Sequence, residues 1–180
     1  EEMSALYGKV IGEEARYREK DVLLGPGVNI YRTPLCGRNF EYMGEDPYLA
    51  SKMVVPYIQE LQKNGVAACV KHYALNNQEA NRHKYNAVVD DRALYEIYLP
   101  AFKAAVQEGG VWSIMGSYNL FEGEHLCHND RMLNKILKQE WGFDGVVISD
   151  WGGVHNTDQA INNGLDLEMG TGTNGLDTKY

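Results

Sequence analysis

Cysteine is scarce and unpatterned, with Cys36, Cys69 and Cys127 scattered through 180 residues. No CxxC pair or zinc-type spacing occurs, so neither a disulfide framework nor a thiolate metal site is indicated, and small buried fillers are the expectation. Positive charge is in deficit. Lys and Arg number 17 against 25 Asp and Glu, a formal charge of −8, which argues against a sequence-independent nucleic-acid surface built on clustered cations. No apolar run approaches the roughly 20 residues that span a bilayer, and the first residues lack a signal-peptide pattern. The expectation is a soluble chain with neither nucleic acid nor membrane as partner; the sequence does not fix its compartment, a periplasmic or secreted full-length form being one option. The loop after the first apolar strand has glycines but no GxGxxG turn and does not enter a helix directly, which counts against a dinucleotide fold.

What is present is the composition of an ordinary globular domain, 44% hydrophobic and 23% charged, in a chain long enough to bury a real core. The 12 tyrosines and 3 tryptophans suit a sugar-binding surface and core packing alike.

Helical and strand patterns alternate along the chain. Residues 1–20 read as a helix from Met3, Leu6, Tyr7, Val10 and Ile11 at helical spacing. The helix opens without a preceding cap, as a segment of something longer would. A short apolar strand at 22–24 ends in Gly25-Pro26-Gly27, and a long loop runs to Glu45-Asp46-Pro47. Loops longer than about 12–15 residues usually carry function. Asp46 and Pro47 start a helix that Asn64-Gly65 stops. A strand over 66–70 ends in Lys71-His72, and 73–89 is a polar connection. Asp90 or Asp91 caps a helix over 92–108, and a strand over 112–115 leads to Gly116-Ser117-Tyr118-Asn119. A helix over 132–140, capped by Asn129 or Asp130, precedes the apolar run Val146-Val147-Ile148, which stops at Ser149-Asp150-Trp151. A last helix near 154–163 leads to a fifth strand at 164–169 and a Gly/Thr/Asn-rich tail.

This order predicts an α/β fold with about five parallel strands joined by helical crossovers, either a doubly wound sheet or part of a (β/α)8 barrel. In a barrel every strand end lies on one face. Arg38 would follow the first strand, Lys71, His72 and Arg82 the second, Met115 and Tyr118 the third, and Asp150 with Trp151 the fourth. One carboxylate then faces three cations and a histidine, and an ionised, desolvated carboxylate can attack an electrophilic carbon. Each residue has a plainer reading too. Asp150 could cap the next helix, Arg38 could order its loop, His72 could be a satisfied polar residue and Met115 could be core.

Four ordered motifs make the chain resemble glycoside hydrolase family 3, in its β-glucosidase and β-xylosidase branch. They are Gly37-Arg38-Asn39-Phe40-Glu41 with Glu45-Asp46-Pro47, then Val70-Lys71-His72-Tyr73, then Met115-Gly116-Ser117-Tyr118-Asn119, then Val147-Ile148-Ser149-Asp150-Trp151-Gly152. The resemblance implies that 1–170 is an incomplete (β/α)8 catalytic domain, with 171–180 a flexible tail or truncated continuation. It implies hydrolysis of terminal β-D-glucosyl or related β-glycosyl residues by a retaining mechanism, with Asp150 as nucleophile. Arg38, Lys71, His72 and Arg82 match positions that hydrogen-bond the sugar, Tyr118 lies close to the nucleophile, and Met115 and Trp151 line the apolar face of the ring. No cofactor and no metal are expected. Members acting on N-acetylglucosamine carry a His-containing Pro/Gly loop after the Lys-His pair; Tyr73-Ala74-Leu75-Asn76-Asn77-Gln78-Glu79 has none, which favours the glucosidase type. A sugar-binding Asp from an earlier strand and a Glu acid/base from a following domain have no counterpart in the chain, so its partners would be a β-glucoside or oligosaccharide and the remainder of its own full-length chain. Two other readings stand beside this one: a non-catalytic sugar-binding fragment, and a metal-dependent barrel hydrolase using His72, His83, His155 and Asp150. The absence of an HxH pair and the cation beside His72 weigh against the second.

Overall fold

The structure is a computed structural model and describes residues 1–170. The expected tail lies outside the described residues. In chain order the strands are β1 (Val22–Leu23), β2 (Ala67–Tyr73), β3 (Asn86–Ala87), β4 (Ser113–Gly116), β5 (Leu120–Phe121), β6 (Glu124–His125) and β7 (Val146–Ile148). The α-helices are α1 (Glu2–Tyr17), α2 (Pro47–Gln62), α3 (Asp91–Ala93), α4 (Pro100–Gln107) and α5 (Thr157–Asn162), with π-helical windings at Leu94–Tyr98 and Arg131–Glu140.

Four strands pair in parallel in the order β1-β2-β4-β7. Spatial order follows chain order with no reversal, so there is no topological switch point, and the doubly wound alternative loses to a barrel segment. The two faces of the sheet separate cleanly. Val70, Ile114 and Val147 join the main core with the helices, whereas Cys69, Met115 and Ile148 form a second buried cluster. That alternation is the period of two a strand imposes, and the second cluster corresponds to an inward-facing layer of a barrel.

The helix at the start packs the other way round from its apolar pattern. Met3, Leu6, Tyr7 and Val10 are all more than half exposed, and the buried stripe is Ser4, Gly8, Gly12 and Ala15. Small residues win because α1 lies directly on the backbone of α2: a Cβ on Gly8 would sit 2.3 Å from the Tyr57 carbonyl oxygen, and one on Gly12 would sit 2.6 Å from Asn64 Nδ2. Ser4 Oγ donates to the Met53 carbonyl at 2.5 Å. A helix approached this closely buries its small face.

The other helices start where their caps dictate. Asp46 accepts the Tyr48 and Leu49 amides at 2.8 and 3.1 Å ahead of Pro47. Asp90 accepts from Ala93, and Asn129 rather than Asp130 accepts from Met132. The helix expected over 92–108 is in pieces. Pro100 has no N–H to donate into the preceding turn, and the chain widens there: Leu99 N–H reaches the Leu94 carbonyl, and Pro100 opens α4.

Two expectations about strands change. β2 extends to Tyr73, so Lys71 and His72 belong to the strand rather than to the loop after it. The fifth strand is reduced to a single parallel bridge, Ile148 to Leu167. There the Asp166 carboxylate accepts the Val147 N–H at 2.8 Å while holding Lys138 at 2.8 Å, so a side chain occupies a ladder position that a backbone carbonyl would fill. Asp166 is thus a structural residue.

Candidate active site

The loop between β1 and α2 is long but ordered by specific bonds. Val28 and Ile30 are buried, and Asn29 mimics a strand neighbour for His72, accepting its N–H at 2.8 Å and donating to its carbonyl at 2.9 Å. A 3-10 turn, Asn39–Glu41, then sets Arg38 and Glu41 on the β2 side. The pairing register of β2 with β4 shifts between Val70 and Tyr73. A shift of this kind breaks strict alternation, and Lys71 and His72, adjacent in sequence, both join one polar cluster.

Asp150, at the C-terminal end of β7, is 5% exposed. Its Oδ1 accepts the Trp151 N–H at 2.9 Å, and its Oδ2 lies 3.6 Å from His72 Nε2. The Tyr118 hydroxyl lies close to the same carboxylate, and burial followed by that anion pushes the phenol above its ordinary value. The Arg82 guanidinium stacks over the Tyr118 ring at 4.3 Å. Two glutamates bind the cations into place. Glu41 accepts from Arg38 Nε at 2.5 Å and pairs with Lys71 Nζ at 3.1 Å; Glu79 pairs with Arg82 at 2.8 Å and with Arg38 at 3.9 Å.

Of the residues singled out by sequence, Asp150, His72, Arg38, Lys71, Arg82 and Tyr118 converge. Met115, 1% exposed, lies in the inward-facing cluster with Cys69 and Ile148, and Trp151 is 41% exposed beside Asp150. Sequence reasoning missed the partners that hold these groups, namely Glu41, Glu79, Tyr42, Asn76 and Asn29. The spacing of Arg38 with Glu41 and of Glu79 with Arg82, each i,i+3, was the available signal. The four side chains of the metal reading come together only in pairs, His72 with Asp150 at 3.6 Å and His83 with His155 at 6.3 Å between ring centroids. His83 packs on Tyr118 and His155 stacks on His125 at 3.7 Å, and among the described residues no group of three or more His, Cys, Asp or Glu is placed to hold a metal ion. All three cysteines are free and buried, and burial, its largest influence, pushes the Cys127 thiol up to about 12. No helix among the described residues is long and apolar enough to cross a membrane.

His72 is neutral. Burial, then the charges of Arg38, Lys71 and Arg82, push its imidazole down to about 2, outweighing the attraction of Asp150. An unfolded histidine titrates near 6.5, so below that pH the unfolded chain binds a proton that the native state refuses. The contribution of His72 to stability is therefore complete above about 6.5 and is lost as the pH falls toward 2. Chemical denaturation should find the protein roughly 2 kcal/mol less stable at pH 5 than at pH 7 through His72 alone, and His72→Gln should flatten that slope. An unchanged slope would mean that the ring protonates in the native state.

The chain matches the model of the glycosyl hydrolase family 3 N-terminal domain over residues 2–172. It is 70% identical over 174 residues to β-glucosidase BoGH3A of Bacteroides ovatus, covering 97% of this chain and 23% of that protein. It is 48% identical over 164 residues to thermostable β-glucosidase B of Acetivibrio thermocellus, covering 91% of this chain and 22% of that protein. The structure superposes on β-glucosidase 3B from Thermotoga neapolitana, solved in complex with glucose, with a TM-score of 0.90 and 46% identity, covering 92% of this chain and 23% of that one. The chain thus spans about a quarter of the length of these relatives. With parallel strands in barrel order, polar groups gathered at their C-terminal ends and a family match along nearly its whole length, the chain belongs to glycosyl hydrolase family 3, in its TIM-barrel-like N-terminal domain.

Proposed function

We propose that the chain is the nucleophile-bearing part of an enzyme that hydrolyses terminal non-reducing β-D-glucosyl, or related β-glycosyl, residues with retention. One observation carries this reading: Asp150 is a buried carboxylate at a strand end, touched by His72 and Tyr118 within a cluster that contains Arg38, Lys71 and Arg82. The names of the relatives support the choice of sugar.

In the first step an oxygen of Asp150 bonds to the anomeric carbon as the bond to the leaving-group oxygen breaks, and a general acid protonates that oxygen. Water then attacks the glycosyl ester, gives up a proton to the same group acting as base, and frees Asp150. The Trp151 N–H on Oδ1 holds the carboxylate still. Arg38, Lys71, His72 and Arg82 donate to sugar hydroxyls, contacts that tighten as the ring flattens. Trp151, 41% exposed, offers apolar surface to the C–H face of the ring, whereas Met115, 1% exposed, is covered within its own cluster. The acid/base belongs to a remainder that the chain does not include; relatives four times as long support this, as does the exposed apolar stripe of α1, a surface for further packing.

An activated 2-deoxy-2-fluoro-β-D-glucoside tests the reading, because its good leaving group departs without an acid and its fluorine slows release of the ester. Mass spectrometry of the full-length enzyme should find one deoxyfluoroglucosyl group, on the peptide that contains Asp150. An adduct elsewhere, or none, would overturn the assignment.

A further inference from the structure

Behind His72, on the side away from Asp150, lies a buried chain of polar groups that the reaction above does not use. Tyr42 is 7% exposed and Asn76 is 0% exposed. Asn76 Nδ2 lies 3.3 Å from Glu79 Oε1 and 2.9 Å from the Tyr42 hydroxyl, which in turn lies 3.0 Å from His72 Nδ1.

The direction of every proton in this chain follows from one end. A carboxylate only accepts, so the Asn76 atom facing Glu79 is the amide nitrogen; turning the amide over would set oxygen against oxygen. The second hydrogen of that nitrogen points to the Tyr42 oxygen, which accepts it. The Tyr42 hydroxyl hydrogen is then left with His72 Nδ1 as its partner. Burial raises the phenol above its ordinary value, so it keeps that hydrogen. Nδ1 is therefore an acceptor, and the single ring proton of a neutral imidazole must sit on Nε2, the nitrogen 3.6 Å from Asp150 Oδ2.

We propose that Tyr42 is a positioning residue which, oriented by Glu79 through Asn76, fixes His72 as the Nε2–H tautomer. The inference rests on the glycosidase reading only for its consequence: His72 presents one directed N–H to the sugar and the nucleophile, and cannot accept from a sugar hydroxyl. The relay also ties the ring to the cations. Glu79 orients Asn76 and pairs with Arg82 and Arg38, so one carboxylate sets both a tautomer and two guanidinium positions.

Neutron diffraction from deuterium-exchanged crystals of the full-length enzyme reads the tautomer directly. Deuterium is expected on His72 Nε2 and on the Tyr42 oxygen pointing at Nδ1; deuterium on Nδ1 overturns the proposal whatever the activity. A variant cycle on 4-nitrophenyl β-D-glucoside tests its effect. Tyr42→Phe should lower kcat/KM about tenfold in the wild-type background, the scale of one lost buried hydrogen bond. In a His72→Gln background, whose amide N–H donates without needing a tautomer, the same change should cost less than about twofold. Equal losses in both backgrounds, at matched melting temperatures, would mean a merely structural Tyr42. Neither failure would disturb a deoxyfluoroglucosyl adduct on Asp150, so the relay and the glycosidase reading fail separately.

Discussion

Asp150→Asn in the full-length enzyme lowers kcat/KM for 4-nitrophenyl β-D-glucoside by about 10,000-fold or more, the scale on which loss of an essential group reads in other hydrolases. The substitution is nearly isosteric, and its Oδ1 still accepts the Trp151 N–H that Asp150 accepts at 2.9 Å. Backbone and packing are kept; the anionic oxygen is lost. An amide is far too weak a nucleophile to displace an aglycone, so the first step stalls while the sugar still binds. The melting temperature should therefore stay near the wild-type value, and glucose should still protect against unfolding. The same variant separates an enzyme from a sugar-binding fragment. A binder tolerates Asn at this position, and hydrolysis at the wild-type rate would remove Asp150 from the chemistry altogether.

Glu41→Gln carries the second-largest effect, and does so without touching the reacting carbon. Among the described residues, Glu41 is the one side chain that pairs with both Arg38, at 2.5 Å, and Lys71, at 3.1 Å. The amide keeps the shape and drops the charge, leaving two cations side by side in a site where Arg38 and Lys71 are 19% and 16% exposed. Removing one partner of a buried pair exposes the other to its desolvation cost. With side chains still about a fifth exposed, the loss should be roughly 2 kcal/mol of stability, measured by denaturant unfolding. The cations then drift from their donor positions, and kcat/KM should fall about 100-fold, since even small misplacement of positioning groups is costly. An unchanged kcat/KM would mean that the strand and loop backbones hold Arg38 and Lys71 without help.

What could be read in advance follows physical range. Val147-Ile148 and the strand before Lys71 were legible because a stretch buried on both faces leaves an unbroken apolar signature that ends sharply in polar residues, and only Val146 at the start of β7 is exposed. Asp46-Pro47 marked a helix start because capping is local. The three-stranded sheet of β3, β5 and β6 was not legible, since two-residue strands show no periodicity. The inward face of α1 was not legible for a different reason: periodicity finds an apolar stripe but does not reveal whether a second helix approaches the glycine side instead. At the site, the residues at strand ends could be named from sequence. Their partners could not, because Tyr42 meets His72 across 30 positions and Asn29 meets it across 43. Contacts at that range depend on how the barrel segment closes, which no local pattern encodes.

The pairing of cations with glutamates has an effect that reaches beyond the side chains it holds. Arg38, Lys71 and Arg82 are balanced by Glu41, Glu79 and Asp150, and His72 is uncharged. The cluster is dense in charge yet neutral in sum, so its field decays within a few ångströms instead of spreading into solvent. On the glycosidase reading proposed above, a sugar, itself uncharged, is neither drawn in nor turned away from afar. It meets directional donors only on contact, where a hydroxyl in the wrong place finds no compensating pull. Recognition here is a matter of fit at short range, and ions in the medium have little to screen.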